Sequence, residues 1–174
     1  MCQAAQKSAA AVLSAVEPDL VELLTIEGIA STPDGQSAIA AYNALDTALQ
    51  NWVPGTSAQV AIEAANAFTA VFQVLPIPTE AKGLEALISA AIVTVIGILT
   101  ANSPAPAGIA QAAHAETVAS ATEAQVTAMT GIKVGWFTLA RVMAGDHSAI
   151  AEEWQKQFKA AAKAAGPKYA PLAA

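Results

Sequence analysis

The sequence predicts an all-α protein, a bundle of about six to eight antiparallel helices joined by short loops. Three observations support this prediction. The chain holds 45 alanines among 174 residues, and alanine favours helices while packing poorly on a pleated sheet. Apolar residues recur at helical spacing, and proline or glycine interrupts the chain where that spacing ends. No stretch alternates apolar and polar residues as a half-buried strand does.

The length suits one helical domain that covers residues 1–174. Residues 1–16 are expected to form an N-terminal tether or a first helix, because the residue before Pro18 is pushed out of the helical region. Pro18 then suits the first turn of a second helix. At the other end, residues 167–174 follow a glycine–proline pair and are expected to form a C-terminal tail.

Between these ends, proline and glycine separate further helical segments, with Thr79 and Asp146 as predicted N-caps. The helices after Pro18 are predicted at about 18–27, 36–52, 57–75, 80–102, 109–130, 136–143 and 147–165. The segment 109–130 is rich in Ala, Gln, Glu and Thr. A charge placed at Ala119 or Thr122 is therefore expected to be tolerated.

The segment 80–102 is the most apolar of the chain. Its large side chains repeat at helical spacing and form the predicted packing face: Leu84, Leu87, Ile88, Ile92, Val95, Ile96 and Leu99. The uncharged run Ala86–Ala101 has sixteen residues, whereas a transmembrane helix needs about 20. No Trp or Tyr lies near either end of this run. We therefore expect a buried central helix, with a membrane span as the alternative.

Charge is distributed unevenly along the chain. Residues 1–128 hold two lysines against eleven carboxylates, whereas residues 129–174 hold six basic residues against three acidic ones. The acidic body disfavours binding of nucleic acid. The basic C-terminal part can contact an anionic membrane or the acidic body of a neighbouring subunit.

The last predicted helix is amphipathic and basic. Trp154 and Phe158 lie one turn apart on one face, while Lys156, Lys159 and Lys163 lie on a different side. Two interpretations follow. The aromatic residues lock the last two helices together in the core. Alternatively, the aromatic residues and the lysines are contact residues for a membrane surface or a partner groove.

No motif for catalysis, phosphate binding or metal binding is present in the sequence. His114 and His147 have no carboxylate at the Glu-x-x-His spacing of helical metal sites, so we expect surface or capping roles for both. The sequence therefore predicts no enzyme activity, no metal and no cofactor.

Cys2 is the single cysteine, and small or polar residues follow it in Gln3-Ala4-Ala5-Gln6-Lys7-Ser8. This start resembles that of mature bacterial lipoproteins, in which a lipidated cysteine is residue one. The chain as a whole is similar to small, alanine-rich helical lipoproteins of bacteria and their phages. The resemblance implies a lipid on Cys2, with Met1 in place of a removed signal peptide. The alternative is an ordinary start with a free thiol.

We therefore expect a non-enzymatic, envelope-associated scaffold or protein-interaction module. Its partners would be further copies of itself, another envelope or assembly protein, or a membrane surface. Two alternatives are a self-assembling subunit of a filament, shell or phage particle, and a holin-like membrane-active protein that uses Leu84–Ala101. The expected location is the periplasmic cell envelope if Cys2 carries a lipid, and otherwise the cytoplasm or a virion.

Overall fold

A computed structural model describes residues 3–51, 59–131 and 147–174. These residues form helices and no strand, which confirms the all-α prediction. The α-helices are α1 (Gln3–Ile26), α2 (Pro33–Gln50), α3 (Gln59–Phe72), α4 (Lys82–Ala101), α5 (Gln111–Thr130) and α6 (His147–Ala165). Two 3-10 helices, Thr79–Ala81 and Pro167–Ala173, precede α4 and follow α6. The predicted helix 136–143 and the predicted cap Asp146 lie outside the described residues.

Helix α1 runs without a break through Pro18, so the predicted boundary after residue 16 is wrong. Proline removes one hydrogen bond to the carbonyl four residues earlier, here that of Ser14. Ser14 and Pro18 are both exposed, so water can satisfy the orphaned carbonyl. The apolar stripe continues across the proline from Leu13 to Leu20, and its burial holds the helix together.

Helix α4 is the central element of the bundle. It packs against α1, α3, α5 and α6, while α2 covers α1 and α3 from outside. Of the residues described, this helix alone is long and apolar enough to cross a membrane, yet 83 % of its most apolar stretch is buried inside the protein. The small residues of α4 are buried as well as its large ones, which is the arrangement of a helix surrounded by other helices.

Helices α1 and α2 run antiparallel. The Gln6 side-chain amide in the first turn of α1 donates to the carbonyl of Leu49 near the end of α2, at 2.8 Å. We call the end of the bundle where α1 begins the Gln3 end, and the other end the Ile26 end. Helix α2 therefore starts at the Ile26 end and finishes at the Gln3 end.

The directions of the other helices follow from pairs of neighbouring residues. Asn66 of α3 lines the same cavity as Gly97 of α4, whereas Gln73 lines a second cavity beside Lys82. Helix α3 therefore starts at the Gln3 end and α4 starts at the Ile26 end. The ring of His114 lies 3.3 Å from the carbonyl oxygen of Thr100, so α5 also starts at the Gln3 end.

Helix α6 runs parallel to α1. The Lys159 ammonium interacts with the Asp19 carboxyl, and Lys168 beyond the end of α6 pairs with Glu27 beyond the end of α1. Helix α6 therefore also starts at the Gln3 end. Neighbours in the chain are antiparallel where the connection is short, and α1 and α6 are parallel because the chain returns along the bundle between α5 and α6.

Residues 167–174 are part of the folded core and not a loose tail, which corrects the prediction. Pro167–Ala173 forms a 3-10 helix that packs against α1 and α6, and it buries the side chains of Tyr169 and Leu172. Lys168 donates to the carboxylate of Glu27 at 2.7 Å. The segment therefore covers the Ile26 end of the bundle.

Candidate functional site

The candidate lipid-anchor residue, Cys2, lies outside the described residues, but the chain directly after it is well placed. Helix α1 begins at Gln3, and Ala5, Ser8 and Ala9 have no exposed surface. The first turn is also tied to α2 through the amide of Gln6. The chain is therefore embedded in the bundle within three residues of Cys2.

The aromatic contact candidates Trp154 and Phe158 are core residues, so their assignment as surface contacts is wrong. Both side chains have no exposed surface. Their rings stack with centroids 5.0 Å apart, and the Trp154 Nε1 donates to the carbonyl oxygen of Leu87 at 2.7 Å. Burial of two large rings against α1 and α4 outweighs any gain from exposing them. The structure therefore favours the interpretation in which these residues lock α6 into the bundle.

The three lysines of the same helix, Lys156, Lys159 and Lys163, are exposed. Lys159 donates to the carbonyl oxygen of Ala174 at 2.6 Å and faces Asp19 of α1. Burial raises the pKa of Asp19 to about 6, and the charge of Lys159 partly opposes this rise. Lys159 is therefore used inside the protein, whereas Lys156 and Lys163 extend from the side of the bundle.

The predicted packing face of α4 lies in the core with one exception. Leu84, Leu87, Ile88, Ile92, Val95 and Leu99 are buried. Ile96 is partly exposed and lines a surface cavity between α3 and α5. The prediction that Ile96 and Ile92 are equivalent core positions is therefore wrong.

Helix α5 is polar in sequence, but its Thr122 is buried against Gly97 of α4, which corrects the expectation for that helix. A Cβ atom on Gly97 would lie 2.4 Å from the hydroxyl oxygen of Thr122 and 2.9 Å from its methyl carbon. The hydroxyl itself is satisfied by the carbonyl of Val118 at 2.8 Å. The missing side chain of Gly97 thus permits the close approach of α4 and α5.

A shallow groove follows α4 between α3 and α5. It contains two cavities of about 310 and 230 Å³. The floor consists of α4 residues, most of them small, and the walls carry uncharged side chains except near the Ile26 end: Ala86, Ser89, Val93, Ile96, Gly97 and Thr100 form the floor. Near the Ile26 end, an ion pair joins Lys82 to Glu85. The groove offers van der Waals contact and no reactive group.

The connection between α4 and α5 is braced by side chains that sequence reasoning missed. The Gln111 side chain accepts a hydrogen bond from the backbone of Ala105 at 3.3 Å and donates to the carbonyl of Ser103 at 3.0 Å. His114 contacts the carbonyl of Thr100 from the next turn. No signal in the sequence points to these partners, because they depend on how the loop folds back over the helix ends.

Titratable groups in the described residues form a structural pair at the Ile26 end and no reactive cluster. The side chain of Glu27 is 5 % exposed and pairs with Lys168, whose ammonium lies 5.5 Å from the ring centre of Tyr169. Burial, together with the neighbouring Glu27 carboxylate, raises the pKa of Tyr169 to about 12. Tyr169 therefore stays protonated at neutral pH and serves to hold the C-terminal segment.

Within residues 3–51, 59–131 and 147–174, no group of three or more His, Cys, Asp or Glu side chains is placed to hold a metal ion. His114 braces a loop, and the side chain of His147 lies outside the described part of the structure. The arrangement as described can bind surfaces and can bear load, but it does not assemble a nucleophile beside a base. Comparison with protein-family models, with curated proteins and with solved structures gave no match.

Proposed function

We propose that the chain is a non-enzymatic helical scaffold of the cell envelope, held at a membrane by a lipid on Cys2 and acting through contacts with other proteins. The observation that supports this most directly is the burial of the first turn of α1. Ala5 and Ser8 are fully buried, so a lipid on Cys2 would be joined to the rigid bundle with almost no spacer. Such an anchor would fix how the bundle sits on the membrane as well as keep it there.

The exposed surface also fits a scaffold. In the described residues the large apolar side chains that remain exposed are scattered: Val21, Val60, Val74 and Ile109. The apolar helix α4 is enclosed by its neighbours, so the folded bundle needs no bilayer to cover it. For the same reason we do not carry the holin-like alternative forward, since insertion of α4 would require loss of its packing against four helices.

A test of the anchor compares the native gene product with its Cys2→Ser variant in the original host. We expect the native protein in the membrane fraction, resistant to high salt and released by detergent. The variant should be soluble with the same helical circular dichroism, because residue 2 lies before the first buried residue. A variant that stays with the membrane, or a native protein that is soluble, would contradict the anchor.

A second candidate function is that of a self-assembling subunit. The groove along α4 favours it, because a floor of small residues lets a helix of a neighbouring copy approach closely. Light scattering on the delipidated protein tests this candidate. A defined oligomer that Ala121→Trp converts to monomers would support it, since Ala121 is exposed on the groove wall. A monomer at all concentrations would contradict it.

A further inference from the structure

We propose that the Gln3 end of the bundle is the surface that lies against the membrane, and that this surface fits an anionic lipid bilayer. The inference rests on the proposed lipid anchor and adds to it the orientation of the protein and the chemistry of the lipid. It is carried by the exposed apolar residues, the absence of charge and the helix polarity at this end.

Exposed apolar residues occur at the Gln3 end. Ile109 is 48 % exposed just before α5, and Val60 is 59 % exposed in the first turn of α3. All residues from 106 to 113 are exposed. The apolar segment is held in place by Gln111 and does not fold back onto the bundle. A rigid, exposed apolar segment can enter the headgroup region of a bilayer without paying an ordering cost.

The connections at the Gln3 end carry no charged residues, unlike those at the Ile26 end. The sequence from 102 to 113 contains no Asp, Glu, Lys or Arg, and neither does the sequence from 51 to 59 that joins α2 to α3. Two prolines, Pro104 and Pro106, have no N–H group, and the N–H of Ala105 is bonded to Gln111. Fewer free backbone donors lower the cost of removing this segment from water.

The helix directions make this end electropositive. Helices α1, α3 and α5 start here, and none of them has an acidic residue in its first turn. Helices α2 and α4 start at the Ile26 end, and each has one, Asp34 and Glu85 respectively. Helix α6 follows Asp146, which lies outside the described residues, and is left out of this comparison. Uncompensated helix N-termini attract negative charge, so the Gln3 end complements anionic headgroups.

The alternative orientation places the exposed lysines of α6 against the membrane. Lys156 and Lys163 lie on the side of the bundle, and Lys163 belongs to the last turn of α6 at the Ile26 end. That orientation would bring Val74, which is 76 % exposed at the end of α3, closer to the lipid than Ile109. The two orientations therefore differ in which of these residues meets lipid.

The experiment couples the purified chain through Cys2 to vesicles that contain a maleimide lipid, phosphatidylglycerol and brominated phosphatidylcholine. A tryptophan is introduced by Ile109→Trp or by Val74→Trp, and its quenching by the brominated acyl chains is measured against the parent chain. We expect added quenching for Ile109→Trp and none for Val74→Trp. Equal quenching at both positions, or stronger quenching at Val74→Trp, would overturn the proposed orientation.

A matched pair of charge variants tests the lipid chemistry on the Ile109→Trp background. Ala112→Glu adds one carboxylate to the first turn of α5, and Gln36→Glu adds one to the first turn of α2 at the other end; both positions are exposed. A glutamate stabilises a helix start, so both variants should fold. Ala112→Glu should lower the ratio of surface-bound to free orientation about fivefold on phosphatidylglycerol vesicles, since one elementary charge acts at the surface. Gln36→Glu should leave it unchanged, and equal effects of the two would overturn the electrostatic part.

This experiment and the test of the anchor fail in different ways. The vesicle anchor is attached chemically, so the quenching result does not depend on whether the host lipidates Cys2. A soluble native protein would contradict the lipid anchor alone. Equal quenching at the two ends would contradict the membrane-facing surface and leave the anchor intact.

Discussion

The indole nitrogen of Trp154 donates to the carbonyl oxygen of Leu87 at 2.7 Å, and this bond joins the last helix of the chain to the central one. Neither the indole nor the stacked ring of Phe158 has any exposed surface. The bond therefore forms in the dry interior, where an unpaired polar group is costly. It fixes the rotation of α6 so that its aromatic face points inward and its lysines point outward.

Loss of this hydrogen bond should destabilise the protein measurably. Trp154→Phe keeps an aromatic ring but removes the donor, and we expect the free energy of unfolding to fall by about 1–3 kcal/mol. Trp154→Ala also opens a cavity and should cost about 3–5 kcal/mol. Urea denaturation followed by circular dichroism measures both. No loss of stability in either variant would show that α6 is not locked through this residue.

Gly97 should be intolerant of a single added methyl group. Gly97→Ala places a Cβ 2.4 Å from the hydroxyl oxygen of Thr122, so α4 and α5 must move apart, at a cost of about 1–3 kcal/mol. Gly83→Ala is the matched control, because that glycine is in the same helix and its added Cβ meets nothing within 4 Å. The control should be neutral or stabilise by up to about 1 kcal/mol.

The same contact can be tested by rescue. Thr122→Ala removes the atoms that a side chain on Gly97 would meet. The double variant Gly97→Ala/Thr122→Ala should therefore lose less stability than the sum of the two single changes. Additive losses, or equal melting temperatures for Gly97→Ala and Gly83→Ala, would contradict the close approach of α4 and α5.

Charges on α4 should have very different effects at Ile92 and Ile96. Ile92 has no exposed surface, so Ile92→Asp would bury an unpaired carboxylate and cost several kcal/mol. Ile96 opens onto the groove, where water can reach the carboxylate of Ile96→Asp. Thermal unfolding should show a large drop for the first variant and a clearly smaller one for the second. Equal effects would mean that the groove is closed in solution.

Asp19 should make the protein more stable in mild acid. Its pKa is about 6 in the folded chain against an ordinary 3.8, so the folded state holds the proton more tightly than the unfolded one. This contribution is full below pH 3.8 and is lost as the pH rises through 6. Asp19→Asn should therefore stabilise the protein at pH 7.5 by about 1 kcal/mol, after allowance for partial exposure, and the gain should vanish near pH 4. A gain that is independent of pH would show that ionisation of Asp19 is not the cause.

The fold class could be predicted because each helix carries its own local signals. Alanine content and the apolar repeat of α4 do not depend on the partner helices. Pro18 is an instructive failure, since the local cost of a proline was outweighed by the burial of Leu13 and Leu20 on either side of it. That burial depends on the position of α4, which no local rule contains.

The positions of the candidate site residues depended still more on tertiary structure. Amphipathicity placed Trp154 and Lys156 on opposite sides of α6 correctly, but it could not show which side faces the core. Thr122 looked like a surface residue because α5 is polar, and only the missing side chain of Gly97 makes room for it. The uncharged Gln3 end became visible only when the directions of the helices were known.

The most direct test of the account is the intact mass of the N-terminal peptide from the protein isolated from its native host. The peptide ending at Lys7 is suitable, because it contains Cys2 and no other site of the proposed anchor. A lipid-anchored scaffold predicts that residue 2 is the first residue and carries the added mass of acyl chains on its thiol, and that Cys2→Ser abolishes this mass and membrane attachment together. A peptide that begins with Met1 and carries an unmodified thiol would contradict the central claim.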